Sequence, residues 1–247
     1  MPTGTQSWHE RLWRTNNAAD IARGAVPGAK PFAAFGERIT GGPVTNAILW
    51  ETGMPATLTV PDSIQLSIVS SAADTRRLKL VYLDGDLVER VETITLNGTT
   101  PVLTAATDIR FVNNLYSLDG GAATTVAATN GGTTYAGLNS GDVQFNQAMY
   151  RVPADHRLML TSLYAGATSG TSAAKVTIKA ETSFFNGDRF GDDGILHPIG
   201  AVGLQDNAVT LPFDPFPIPA GEIVALTFKC DKVADVVGGF FGWTETA

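Results

Sequence analysis

The chain has 247 residues, 17 of them basic and 24 acidic, for a formal net charge of −7. That length can bury the core of one large or two smaller β units. The acidic balance, with Arg76-Arg77 as its densest basic pair, excludes the phosphate-neutralising patch of a nucleic-acid binder and disfavours anionic membranes, and a single cysteine, Cys230, excludes an intrachain disulfide.

Residues 1–45 read as an extended N-terminal arm. Trp8, Leu12 and Trp13, interleaved with Glu10, Arg11 and Arg14, allow about two helical turns. Asn16-Asn17, Gly24, Pro27, Gly28 and Pro31 stop anything longer. No apolar h-region is present, so no signal peptide is expected, and no run approaches the ~20 apolar residues of a membrane span. An apolar arm without its own core docks elsewhere, on a partner or back on its own body. Trp8, Leu12, Trp13, Phe32 and Phe35 are the expected anchors, because buried aromatics dominate interface energy.

Residues 46–118 read as a first β module. Ile64, Leu66 and Ile68 alternate with polar neighbours, as do Leu78, Leu80 and Tyr82, and Ile94 and Leu96 between threonines. Ile109–Leu118 is a further strand. Asp84-Gly85 and Asn97-Gly98 are hairpin-turn signals. Residues 119–141, rich in Gly, Ala and Thr, read as a loop or linker. Residues 142–247 return to strands as a C-terminal β-sandwich. Val176, Ile178 and Ala180 alternate with polar residues. Val224, Leu226, Phe228 and Cys230 share an apolar face, where a lone cysteine acts as a small hydrophobe. Phe240, Phe241 and Trp243 predict a final buried strand. Val60-Pro61, Val152-Pro153 and Ile218-Pro219 are each followed by apolar residues six and eight positions after the first, a device suited to the start of a strand. The expected fold is mainly β: an antiparallel, jelly-roll-like sandwich of two packed modules with an extended arm.

Chemistry is sparse. His9, His156 and His197 have no metal-ligand spacing to one another or to Cys230. No nucleophile elbow or phosphate loop is present. Asp188, Asp192 and Asp193, in the loop around Arg189, are weak candidates for calcium, with a solvated turn as the plainer reading. Asp84, Asp86, Glu89 and Glu92 read as solubilising charges that protect a strand edge rather than as a glycosidase pair. No cofactor is expected. The segment 211–219 sets Phe213 and Phe216 among four prolines, a stiff strip that either meets a partner or packs onto the sandwich.

The run Val81–Val102, with its core ETITLNGTTPV, resembles a motif of structural proteins from the virions of tailed bacteriophages, of the environmental and marine type. GERITGG, Ile48-Leu49-Trp50, IVSSAADT, Asn113-Asn114-Leu115-Tyr116 and Met149-Tyr150-Arg151-Val152-Pro153 are similar to the same proteins, over roughly residues 23–165. The chain departs from them at Asp155, where similar proteins carry glycine, and a different turn is expected there; Ile218-Pro219-Ala220-Gly221 keeps the glycine. The resemblance implies a non-enzymatic subunit made in the host cytoplasm and carried in the virion. It would assemble with copies of itself, as a trimer or higher ring, and with other virion proteins, in a capsid decoration or in the tail, neck or fibre. The alternative is a glycan- or receptor-binding module at a tail tip, for which Tyr135, Tyr164 and Trp243 are the candidate aromatics. A glycan-cleaving enzyme would need a carboxylate pair in a groove.

Overall fold

The computed structural model describes residues 17–51, 53–55, 58–169, 173–185, 188–189, 197–205 and 207–246. The chain begins there with helix α1 (Asn17–Ala22) and strands β1 (Ala29–Ile39) and β2 (Val44–Ile48). Next come β3 (Ser67–Ser70), β4 (Arg77–Leu83), β5 (Glu89–Thr95), β6 (Val102–Leu103), β7 (Phe111–Ser117), β8 (Val126–Asn130) and β9 (Thr133–Leu138). The remainder is β10 (Met149–Arg151), β11 (His156–Ser169), β12 (Val176–Thr182), β13 (Phe184–Phe185), β14 (Asp188–Arg189), β15 (His197–Leu204), β16 (Ala208–Ile218), β17 (Ile223–Cys230) and β18 (Ala234–Thr246).

Two antiparallel sheets face each other as a sandwich. One has the order β1-β18-β11-β16; the other runs β10-β17-β12-β15, with β2 also on β17. The last strand is held on both sides, by β1 from Ala29↔Glu245 to Ile39↔Asp235 and by β11 from His156↔Thr246 to Ser169↔Ala234. Strand alternation fills the space between the sheets: Leu158, Leu160, Ile178, Ile218, Val224, Leu226, Phe228, Val236 and Phe240 are all buried there. Each such side chain stabilises the fold by about 1.5–3 kcal/mol. Cys230 joins this core as expected. The opposite face of β17 is covered too, because Ile223 and Ala225 pack into a second core. Burial on both faces is why this strand reads as a nearly unbroken apolar run.

That second core belongs to a unit inserted within one strand. The ladder of β2 on β17 reaches Ile48↔Thr227, and β10 resumes it at Met149↔Ala225. Between them the Leu49 N–H donates to the Leu226 carbonyl, and the Leu226 N–H to the Ala148 carbonyl, both at 2.8 Å. Residues 49–148 therefore leave and rejoin the sandwich at one point. They form the sheets β6-β3-β8-β9 and β5-β4-β7 around Leu66, Ile68, Leu78, Leu80, Ile109, Leu115 and Phe145. The buried Glu51 carboxyl ties the mouth of the insertion together, accepting backbone N–H groups of Asn139 and, at 3.4 Å, Asn146.

The mainly β, antiparallel two-module expectation agrees with this architecture, and four details differ. First, the sandwich strands β1, β2 with β10, β11, β12, β15, β16, β17 and β18, counted one to eight, pair as one-eight-three-six and two-seven-four-five. That is the order of two Greek keys, as in a jelly roll. The chain as a whole is not a jelly roll, because residues 49–148 stand outside that order as a separate pair of sheets.

Second, residues 29–48 are not an arm but β1 and β2. Pro31 and Gly36 disguise β1. Proline is tolerated on an edge strand, and Gly36 is required where β1 crosses the mouth of the insertion: a Cβ there would lie 2.0 Å from the Leu49 carbonyl oxygen. Third, the 119–141 linker contains the hairpin β8–β9, turned by Gly131 and Gly132, which both have positive φ. Its strands are built from small residues such as the buried Ala128 and Ala136, which give little periodic signal. Fourth, Phe240 is buried between the sheets and Trp243 beneath α1, but Phe241, on the same outer face as Trp243, is 43% exposed.

The turn signals gave mixed results. Asp84-Gly85 begins the loop between β4 and β5, but Leu87 takes the left-handed conformation (φ 59°) and Gly85 does not. Asn97-Gly98 makes a tight turn, with Gly98 at φ 60°, that carries the chain from one sheet of the insertion to the other. The Val152-Pro153 and Ile218-Pro219 devices lie side by side, Gly221 N–H donating to the Val152 carbonyl at 2.8 Å. Gly221 has φ 80°, whereas Asp155 at the matching place keeps an ordinary backbone.

Candidate functional site

A concavity lies where the sandwich meets the insertion. It is a cleft of about 380 Å³, within the size range of small-molecule sites, which favour the junctions between domains. Residues 30–34 of β1 form one wall, with Tyr150 beside them. The floor is the outward face of the β5-β4-β7 sheet. Cross-strand register places Glu89 and Val91, Lys79 and Val81, and Asn114 and Tyr116 on that face, because Leu78, Leu80 and Leu115 turn inward to the core.

The aromatic wall is fixed by packing. Phe32 lies 4.4 Å from Tyr150 and 5.8 Å from Phe240, centroid to centroid. Burial pushes the Tyr150 hydroxyl well above the usual tyrosine range, with Glu89 and Asp155 adding to the effect, so it stays protonated as a donor. Burial, then Glu89, raises Tyr116 in the same direction.

The base of the cleft is a network of amides. Buried Asn113 donates to the Arg151 carbonyl at 3.1 Å and accepts the Arg151 N–H at 3.0 Å. Gln147 donates through Nε2 to the Val112 carbonyl at 3.2 Å and to the Asn113 carbonyl. Those two acceptors fix the amide orientation. Gln147 Oε1 is thereby left buried with no donor from the protein, a state that costs about 1–3 kcal/mol. Asn114 Oδ1 accepts the Leu115 N–H at 2.8 Å, and its NH₂ has no partner among the described residues. Among the described residues, no protein group hydrogen-bonds the side chains of Lys30, Lys79, Tyr116, Gln144 or Tyr150, all of which line the cleft.

A second feature is the outer face of the β1-β18-β11-β16 sheet. Phe35 and Phe241 lie there, 41% and 43% exposed, opposite Gly239 and Ala33 respectively. Tyr164, also opposite Gly239, is half-buried beside them. One end of this face is covered by α1, where Ile21 packs with Trp243 and Ala29.

Of the expected anchors, Phe32 and Phe35 sit on β1 but on opposite faces, one in the cleft wall and one on the outer face. Trp8, Leu12 and Trp13 lie outside the described residues. The proline strip is edge strand β16, where Phe216 is 38% exposed and Phe213 takes part through its backbone, its side chain lying outside the described set. Residues 213–215 bulge out opposite the lone Thr161, and prolines on an edge block pairing with a foreign strand. Asp188 opens β14, while Asp192 and Asp193 lie outside the described residues. Asp84 takes the Arg90 guanidinium at 2.7 Å, and Glu92 takes the Ala105 N–H at 2.7 Å. These carboxylates secure loops, whereas Glu89 lines the cleft. Tyr135 packs on the insertion core, whereas Tyr164 and Trp243 belong to the outer face of the sandwich, Trp243 being buried under α1. Sequence reasoning missed the cleft. Its signal was the polar run Asn113-Asn114 with Gln144 and Gln147 among strand residues.

No family model matches the sequence. No curated protein matches it either. Among solved structures, it is similar at 11% identity to one of infectious bursal disease virus Gt strain, covering 89% of this chain and 73% of that one at a TM-score of 0.26. It is similar at 11% identity to the N-terminal CBM22-1-CBM22-2 tandem domain from Paenibacillus barcinonensis Xyn10C, covering 85% of this chain and 94% of that one at a TM-score of 0.25.

Proposed function

We propose that this chain is a non-enzymatic structural subunit of a tailed-bacteriophage virion, made in the host cytoplasm and assembled as symmetric copies in a trimer or higher ring beside other virion proteins. The observation that carries the reading is the outer sheet face with exposed Phe35 and Phe241. Paired aromatics on a rigid sheet lose little entropy on docking and contribute most of an interface's energy. The β18 strand beneath them is anchored on both sides, so the face is held stiff. The ETITLNGTTPV resemblance supports the virion assignment. Most such assemblies close by point-group symmetry.

Light scattering on the purified protein tests this. The wild type is expected to run at three chain masses or more, and the Phe35→Ser, Phe241→Ser double variant as a folded monomer. A monomeric wild type at high concentration, or an oligomer indifferent to both substitutions, would count against assembly through this face.

A further inference from the structure

We infer that the cleft between β1 and the β5-β4-β7 sheet is a binding subsite for a neutral oligosaccharide, holding about two pyranose rings. The inference does not rest on the virion assignment, because it is argued from the cleft lining, which includes neither Phe35 nor Phe241.

The chemistry of the lining selects the ligand class. A pyranose presents an apolar C–H face and a rim of hydroxyls that both donate and accept. The cleft offers the matching pair: aromatic and aliphatic surface from Phe32, Val81 and Val91, and uncommitted polar groups around it. Those groups include the hydroxyls of Tyr116 and Tyr150 and the amides of Asn114 and Gln144, none with its full complement of partners in the protein. An apolar ligand would strip water from these groups without replacing the lost hydrogen bonds. A phosphorylated ligand calls for bidentate arginine or convergent backbone N–H groups. Among the described residues, Lys30 and Lys79 are the cations lining the cleft, and Glu89 shares that lining. A peptide strand pairing with the exposed edge of β1 would meet Pro31, which has no N–H to give. Neutral hydroxyls suit the mixed charges and the amide-rich base.

The site is also built rather than incidental. Gln147 is 3% exposed, its amide is fixed by two carbonyls of β7, and its Oε1 is still without a donor at the base of the cleft. A buried acceptor of this kind calls for a donor from outside the chain; it is too enclosed for direct contact with a ligand, so a water would have to relay between it and the ligand's hydroxyls.

Saturation-transfer NMR with maltohexaose, cellohexaose, xylohexaose and chitohexaose tests the inference on the full chain. At least one is expected to receive saturation and to titrate to a plateau. Tyr150→Phe, which keeps the ring against Phe32, and Gln144→Ala are each expected to weaken that binding about ten-fold, with thermal melts confirming that both variants stay folded. Tyr164→Ala, on the outer face, should leave affinity unchanged. Absence of transfer to all four sugars at millimolar concentration overturns the proposal. So does binding that survives both cleft substitutions or is lost on Tyr164→Ala. The oligomer mass of the two cleft variants, read in parallel, is expected to match wild type, so a failure here is distinct from a failure of assembly.

Discussion

The sandwich and the insertion are both antiparallel β, yet they are assembled from opposite kinds of contact. In the insertion, β4–β5 and β8–β9 are hairpins between neighbours in sequence. In the sandwich, the first described strand pairs with the last, Ala29 with Glu245, and the insertion itself interrupts a strand between Ile48 and Met149. The lesson is that residues 29–48 are structural, two strands of the sandwich rather than an arm.

Truncation breaks this comparison most sharply. Removing residues 1–40 deletes β1 and uncovers Phe240 and the whole open edge of β18, a loss comparable to the entire ~5–15 kcal/mol stability of a domain. That variant is expected to be insoluble or unfolded by circular dichroism. Removing residues 1–16 alone should leave a cooperative melt close to wild type. Leu80→Ala, inside the insertion core, should fall between them at about 2–5 kcal/mol in denaturant titrations. Equal behaviour of the two truncations would show that β1 is dispensable.

A smaller effect probes the joint between the two regions. Burial pushes the Glu51 carboxyl up to about 8; the neighbouring Asp142 adds to this, and the N–H groups of Asn139 and Asn146 partly offset it. A carboxyl whose folded pKa is raised contributes its full share of stability below the unfolded value near 4.5, and loses it as pH rises through about 8. Stability from chemical denaturation should therefore fall between pH 5 and 9. Glu51→Gln, which keeps an acceptor for those N–H groups, should flatten the fall. An unchanged slope in that variant would remove Glu51 as its cause.

Much of the fold was legible where one sheet face is buried and the other wet. Leu78, Leu80 and Tyr82 announced β4, and Val176, Ile178 and Ala180 announced β12, by simple alternation. Legibility failed where burial is not alternating or side chains are small. β1 is broken by Pro31, which an edge strand tolerates, and by Gly36, which its close crossing over Leu49 requires. β8 and β9 bury alanines, which carry little hydrophobic signal. Phe240 and Phe241 look alike in sequence, but adjacent strand residues face opposite ways. The cleft was least visible of all. Its wall comes from residues 30–34 and 150 and its floor from residues 79–116, and only the insertion geometry brings them together.

The central claim is that this chain is one tile of a particle, docked through the outer face of the β1-β18-β11-β16 sheet. A reconstruction of the intact virion by electron cryomicroscopy tests it most directly. It should show this fold repeated around a symmetry axis, with Phe35 and Phe241 buried against a neighbouring subunit. Particles that lack the chain, or that carry it with those two side chains facing solvent, would contradict the account.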